Sequence, residues 1–373
     1  MVYKNLIDIN PQILKWAREE AGYYDINEII TSLGVDHASY NEWENNGREI
    51  PFSILKKISK KFRRQVAVFF LTAVPKKVKK PKDFRNLALV TVENSKETIL
   101  AIRRANRYTN LLQEIDGIGY YQKKYSWLKE YNDKFGKNIN INNDTIATWI
   151  RNKIGTSLEL QMNSPTQNQI YKIWRENIED RLGISVFQFK MPSDEIQGFS
   201  LTDEYPFCIT VNNKNAITGR IFTIFHELGH ILKHQSGMCH PEKSEKNQQF
   251  EFECNSFAGK LLIPTEIVVQ TDSADEIFKY AKQLKISSEA YLRRLYEMEY
   301  LSNDKFFTLL AEIRSKVVKT DKPFVRLTPL QKSLNSRGNH LFDSVVDAAT
   351  NNRISFSLAS DVLGVKINYL LNL

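Results

Sequence analysis

Cysteine is scarce. Three occur in 373 residues, Cys208, Cys239 and Cys254, an odd number too small for a disulfide framework. Long apolar runs are missing as well. The longest, Val66–Val74, has nine residues with Thr72 inside it, against about 20 for a membrane-spanning helix. It reads as a buried helix end, with Val66–Leu71 too apolar for the surface. The opening residues Lys4, Asp8, Lys15, Arg18, Glu19 and Glu20 leave no apolar stretch between them, so no secretory signal peptide is expected. No internal repeat is found. These absences point to a cytoplasmic protein that does not enter a membrane. What is present is ordinary: 42% hydrophobic and 25% charged residues. That balance excludes a wholly disordered, collagen-like or membrane-embedded chain. At about 150 residues per domain, the length predicts two to three domains.

The charge is basic, 52 Lys and Arg against 43 Asp and Glu, or +9. A basic surplus suits nucleic acid or another acidic partner. Its distribution matters more. Residues 51–90 hold twelve basic side chains and one acid, Asp83, whereas residues 1–50 hold nine acids and four bases.

Residues 10–74 read as short helices. Ile13, Leu14, Ala17 and Ala21 share one face of the first, closed by Gly22. Ile26, Ile29, Ile30 and Leu33 form a second stripe, closed by Gly34. Asp36 suits the N-cap of a helix over 38–44, and Pro51 the first position of a fourth with Ile54, Leu55 and Ile58 inward. Residues 75–90 form a proline-punctuated basic linker. Residues 91–183 read as a helical connector, with helices near 145–153 and 165–183. The period then changes. Ile184–Lys190, Gln197–Leu201 and Phe207–Val211 read as three short strands. Helices follow at 218–234 and 248–262, the second stopped by Pro264, and the remainder is mostly helical. The expected class is α+β and mainly helical, with a small β-sheet against a helix pair.

His226-Glu227-Leu228-Gly229-His230 is an H-E-x-x-H pattern. Spacing i, i+4 places both imidazoles on one helix face, within reach of one ion. Neutral imidazole is a good zinc ligand. Glu227 is one residue along, placed to take a proton from an activated water. Ile221, Ile224, Phe225, Leu228, Ile231 and Leu232 keep the helical period around it. A catalytic zinc keeps three protein ligands and an open position. A third histidine ten residues after the first is excluded, because position 236 is Ser. On the next helix Phe250, Cys254, Phe257 and Leu261 make a buried stripe, and Glu251, Asn255, Ala258 and Leu262 the stripe beside it. Glu251 is therefore preferred over Glu253 as third ligand. His234, one turn after His230, either supports a ligand or substrate or is a helix-end histidine favoured by the helix dipole. Cys239-His240 reads as surface loop rather than a second metal site.

These residues resemble the ImmA/IrrE family of zinc-dependent peptidases. Gly219 to His234 (GRIFTIFHELGHILKH) is similar to the family's metal helix and its approach. Residues 251–264 (EFECNSFAGKLLIP) resemble its E-x-x-A-N-x-F-A-x-x-L-L-x-P segment, with Cys254 where Ala is usual. Gly198-Phe199-Ser200 and Phe207–Asn212 look like the strands before the metal helix. The resemblance puts the third ligand on Glu251, and Arg220 and Asn255 fall inside its segments as candidates for supporting the site or touching substrate. Residues 10–74 resemble the lambda-repressor-like helix-turn-helix often fused ahead of such a peptidase, marked by Trp43-Glu44, Pro51, Phe69-Phe70-Leu71 and Asp83-Phe84-Arg85. Residues 338–373 look like the family's C-terminal helical segment. The implied organisation is a helix-turn-helix domain over 1–74, the linker, the connector, a zinc metallopeptidase domain over 184–320 and a C-terminal segment over 321–373. The implied function is a zinc endopeptidase cutting a protein, such as a repressor with its own helix-turn-helix. An extended substrate is expected to pair with Phe207–Asn212 by β-addition. The alternatives are a DNA-binding regulator whose metal site senses or stabilises, and an inactive peptidase-like binding module.

DNA binding is a separate question. The candidate reading helix, 36–45, has three acids and neither Lys nor Arg, which opposes phosphate contact. Ser39, Tyr40 and Asn41 are the candidates for reading bases. Lys56, Lys57 and Lys60 lead the basic side chains of the fourth helix and linker that could clamp a backbone.

Overall fold

A computed structural model describes residues 5–75, 95–136, 140–194, 196–233, 238–239, 248–316 and 326–373. The described residues fall into two compact units, residues 5–75 with 95–103, and residues 104–373. No described helix is long and apolar enough to cross a membrane.

The described residues of the first unit include α1 (Pro11–Glu20), α2 (Asn27–Leu33), α3 (His37–Asn46) and α4 (Phe52–Phe62). A two-residue pairing of β1 (Leu6–Ile7) with β2 (Ile50–Pro51) ties the start of the unit to the segment before α4. The caps follow from side-chain chemistry. Asn10 accepts from the Gln12 amide and Asp36 from the Ser39 amide, each taking up an amide that has no partner within its helix. Ile13, Leu14, Ala17, Ala21 and Ile29 are fully buried, and Ile26 and Ile30 are half-buried beside them. Arg18 and Glu44 form a buried two-pronged ion pair, with Nε–Oε1 at 2.6 Å and Nη2–Oε2 at 3.2 Å. Removing one partner of such a pair costs about 3–5 kcal/mol. Arg103, early in α5 (Lys96–Asp116), donates to the carbonyls of Glu20 (3.0 Å) and Phe62 (3.4 Å), which closes α1 and α4.

Two expectations fail in this unit. The apolar run 66–71 is a 3-10 turn (Val66–Phe70), not a buried helix end, and of its large side chains Phe69 alone is buried. Phe70 and Leu71 are 50% and 43% exposed; a 3-10 helix, with three residues per turn, spreads its side chains around the axis and cannot point them all inward. Tyr40 cannot read a base. It is fully buried, its ring 6.2 Å from Trp43 in edge contact. A ring that fills the space between helices is worth more in the core than at a groove. The other two candidates on α3 have local partners. Ser39 Oγ donates to the capping carboxylate of Asp36 (2.7 Å), and Asn41 Nδ2 lies 3.0 Å from His37 Nδ1. Lys56, Lys57 and Lys60 are exposed on α4. The acidity of α3 is also smaller than its composition suggests, since Glu44 is paired inside with Arg18.

In the second unit α5 leads to α6 (Ile118–Lys124), α7 (Ser126–Phe135), α8 (Asp144–Ile154), α9 (Leu158–Asn163) and α10 (Gln167–Asn177), which runs on as a π turn over Ile178–Leu182. Three strands follow as expected, β3 (Ser185–Phe189), β4 (Gly198–Leu201) and β5 (Cys208–Asn212), and every residue in them is buried. The sheet order is β3-β5-β4-β6, with β6 at Met238–Cys239. β3 and β5 are parallel, Ser185 opposite Cys208; β4 is antiparallel to β5, Gly198 opposite Val211. β5 is thus an inner strand, hydrogen-bonded on both edges. This overturns the expected β-addition of substrate to Phe207–Asn212, because neither edge has free backbone donors and acceptors.

α11 (Ile217–Leu232) packs on β4 and β5 and against α12 (Gln248–Leu262). The C-terminal carbonyls of α12 are capped from three other elements. Arg151 of α8 donates to Leu261 O (2.7 Å), Gln161 of α9 to Leu262 O (3.2 Å), and Arg294 to Ile263 O (3.2 Å). The helical connector therefore anchors α12. The remaining helices are α13 (Ala274–Gln283), α14 (Ser288–Glu297), α15 (Asn303–Lys316), α16 (Pro329–Thr350), α17 (Phe356–Leu363) and α18 (Ile367–Leu370).

Candidate metal centre

α11 carries His226, Glu227 and His230, all within its buried length from Thr223 to Leu232. The helix is apolar on nearly every side because the sheet and α12 cover it. It meets α12 closely at Gly229. A Cβ there would lie 3.0 Å from Cys254 Sγ, 3.2 Å from its Cβ and 3.3 Å from its Cα. A hydrogen at 229 and a small residue at 254 together let the two helix backbones come this near. That approach brings Glu251, one turn before Cys254, to the two imidazoles.

The geometry is compact. His226 Nε2 and His230 Nε2 are 3.1 Å apart. Glu251 Oε2 lies 3.2 Å from His226 Nε2, and Oε1 3.6 Å from His230 Nε2. Three ligands at 2.0–2.1 Å around a tetrahedral ion sit about 3.3 Å from one another. The observed separations bracket that value, so the donor set fits one zinc-sized ion. Two imidazole nitrogens facing each other at this distance also want a cation or a proton between them. Among the described residues these three form the group of His, Cys or carboxylate side chains able to hold a metal. His226 and His230 are almost wholly buried, whereas the Glu251 side chain is 36% exposed. Burial pushes the His230 pKa down to about 3, with the nearby His226 adding to the effect. The imidazole is therefore neutral, the form that binds metal.

Glu253, the weaker candidate, points elsewhere and pairs with Lys233 at 3.0 Å. Asn255 meets the site: its Oδ1 lies 2.9 Å from His226 Nδ1. Arg220 does not join the ligands. It donates to Asn215 O (2.9 Å) and Gln188 Oε1 (2.8 Å), bracing the start of α11 against β3. His234 and His240 lie outside the described residues, as do linker residues 76–90. The Phe250 ring meets His230 edge-on at 5.0 Å.

Glu227 is fully buried. Its Oε1 faces β4, 3.6 Å from where a Cβ on Gly198 would sit. That Cβ would also strike Thr223 Cγ2 at 2.5 Å and Thr210 O at 2.8 Å, so β4 lies directly on the Glu227 turn of the helix. Gly198 and Gly229 are the two site-building residues that the sequence reading passed over as parts of motifs. Their signal would have been glycine at positions where strand and helix propensity both disfavour it.

Paired imidazoles on one helix, a carboxylate closing the site from a second helix and a buried carboxylate beside them form a candidate metal centre. A family model described as Peptidase_M78, IrrE N-terminal-like domain, matches residues 179–296. That segment contains β3 to β6, α11, α12 and all three ligand candidates, and the match supports the ImmA/IrrE family, a family of zinc peptidases. No curated protein and no solved structure matched the chain.

Proposed function

We propose that this chain is a zinc-dependent endopeptidase that cuts a protein, a transcriptional repressor or antitoxin-like regulator being the favoured substrate. The observation that carries the reading is the convergence of His226, His230 and Glu251 within 4.8 Å of one another, inside the segment matched by the peptidase family. His226 and His230 would hold zinc through Nε2 and Glu251 through a carboxylate oxygen. When bound, zinc polarises a carbonyl and lowers the pKa of water.

The chain's own groups do the rest. Glu227 accepts the proton of the attacking water on a carboxylate oxygen and later delivers it to the leaving amine. Its burial against β4 keeps that carboxylate away from bulk water and in one orientation. The inner position of β5 leaves the peptide to bind elsewhere on the site's rim. The N-terminal unit is read as a helix-turn-helix fold that docks the regulator. The rival reading, a DNA-binding regulator with a sensing or stabilising metal, rests on the exposed Lys56, Lys57 and Lys60 and loses Tyr40 as a base contact.

Glu227→Gln tests the mechanism. Zinc content should stay near one per chain while cleavage of the repressor encoded beside it disappears. Undiminished cleavage by that variant removes Glu227 as the proton carrier.

A further inference from the structure

The two histidines are not held alike. His226 Nδ1 has Asn255 Oδ1 at 2.9 Å, whereas His230 Nδ1 is buried with no hydrogen-bond partner. Both Nε2 atoms point at the same spot, as does Glu251. An imidazole can present its Nε2 lone pair only if the proton sits on Nδ1. For His226 an acceptor at Nδ1 favours that tautomer, and the amide oxygen of Asn255 is the acceptor within reach. With the opposite tautomer, His226 Nε2–H would point into the ligand cluster and exclude a cation.

We infer that Asn255 is a positioning residue: it accepts the His226 Nδ1 proton and so fixes the tautomer that makes His226 a metal ligand. The inference rests on the metal-site reading. It also explains why the third ligand and the orienting amide lie on one helix. Glu251 and Asn255 are one turn apart on α12, so the approach of α12 to α11 at Gly229 delivers both together. Asn255 is itself exposed at the site's rim. With an apolar side chain at 255 nothing selects the Nδ1–H form, so both tautomers become accessible, and a change at an exposed position leaves the fold intact. The expected loss in zinc affinity is about tenfold, at the low end for a residue that orients a ligand.

The experiment uses the full chain. Long-range proton–nitrogen NMR on the metal-free protein reads the His226 tautomer directly, and competition with a chromophoric chelator reads zinc affinity. Asn255→Leu should lose the Nδ1–H form as the single species and bind zinc about tenfold more weakly. Asn255→Asp, which keeps an acceptor, should retain both. If the wild-type protein binds no zinc, the metal reading itself fails. If it binds zinc but Asn255→Leu matches it in affinity and tautomer, the metal reading stands and the role of Asn255 is overturned. If the Leu variant does not fold, the wild-type spectrum alone decides, since His226 found in the Nε2–H form refutes the inference.

Discussion

Replacing Gly229 by Ala tests whether the spacing of two helices sets the metal centre. Two effects oppose each other. In a helix interior Ala is better than Gly by about 1 kcal/mol. Against that, the new methyl would lie 3.0 Å from Cys254 Sγ, 3.2 Å from its Cβ and 3.3 Å from its Cα. The sulfur can rotate away but the backbone carbon cannot, so α12 must move by a few tenths of an ångström. Overpacking of this kind costs about 1–3 kcal/mol, so the net expectation runs from no change to a loss of about 2 kcal/mol. The same displacement moves Glu251, one turn from the contact. Metal sites tolerate ligand shifts of about 0.2 Å, so zinc affinity should fall by about tenfold, as for a disturbed supporting residue. Urea melts of the metal-free protein and chelator competition give the two numbers. Adding Cys254→Gly removes two of the three close contacts. In the G229A background that second change should therefore cost less than it does alone. A G229A protein that gains about 1 kcal/mol from propensity with unchanged zinc affinity would refute the spacing argument.

Glu251→Gln should weaken zinc binding by more than about 100-fold, beyond the range for residues that only orient ligands, whereas Glu253→Gln should leave it unchanged; equal losses in a chelator titration would mean that the third ligand is misassigned. Asp116 has burial pushing its pKa up, but hydrogen bonds from His340 and Tyr121 outweigh it and hold the carboxyl below its ordinary value. Its contribution is therefore present above the unfolded carboxylate pKa of about 3.9 and is lost as pH falls through the lower folded value. Asp116→Asn should cost about 1–2 kcal/mol at neutral pH, with the difference from wild type shrinking in melts near pH 3. A penalty that does not change with pH would show that the carboxylate's charge is not what matters there.

Much of this molecule could be read along the chain. The periodicity around His226 placed the metal helix within two residues of its observed ends, because a buried amphipathic helix must keep its period. The three strands were legible as short β-branched and aromatic runs separated by turn residues. The stripe argument that preferred Glu251 to Glu253 agrees with the geometry, since both residues ride a helix whose buried face is written in Cys254, Phe257 and Leu261. Other features were not legible. Tyr40 looked like a polar surface residue on a reading helix and is core. Glu44 looked like a repelling charge and is half of an interior ion pair with Arg18, twenty-six residues away. Phe207–Asn212 looked like a docking edge and is an inner strand. Each of these errors concerns what stands beside a residue, which local pattern does not encode.

The sequence by itself determined the chemistry on offer: two imidazoles and a carboxylate at helical spacing, and a second carboxylate on the following helix. Those depend on covalent order and helical period alone. The tertiary structure decided how the pieces meet. Gly229 against Cys254 sets the distance between helices, Gly198 seats β4 over Glu227, Asn255 meets His226 and not His230, and strand order closes both edges of β5. These depend on contacts between segments far apart in the chain, where packing at van der Waals distance, not local propensity, chooses the partner.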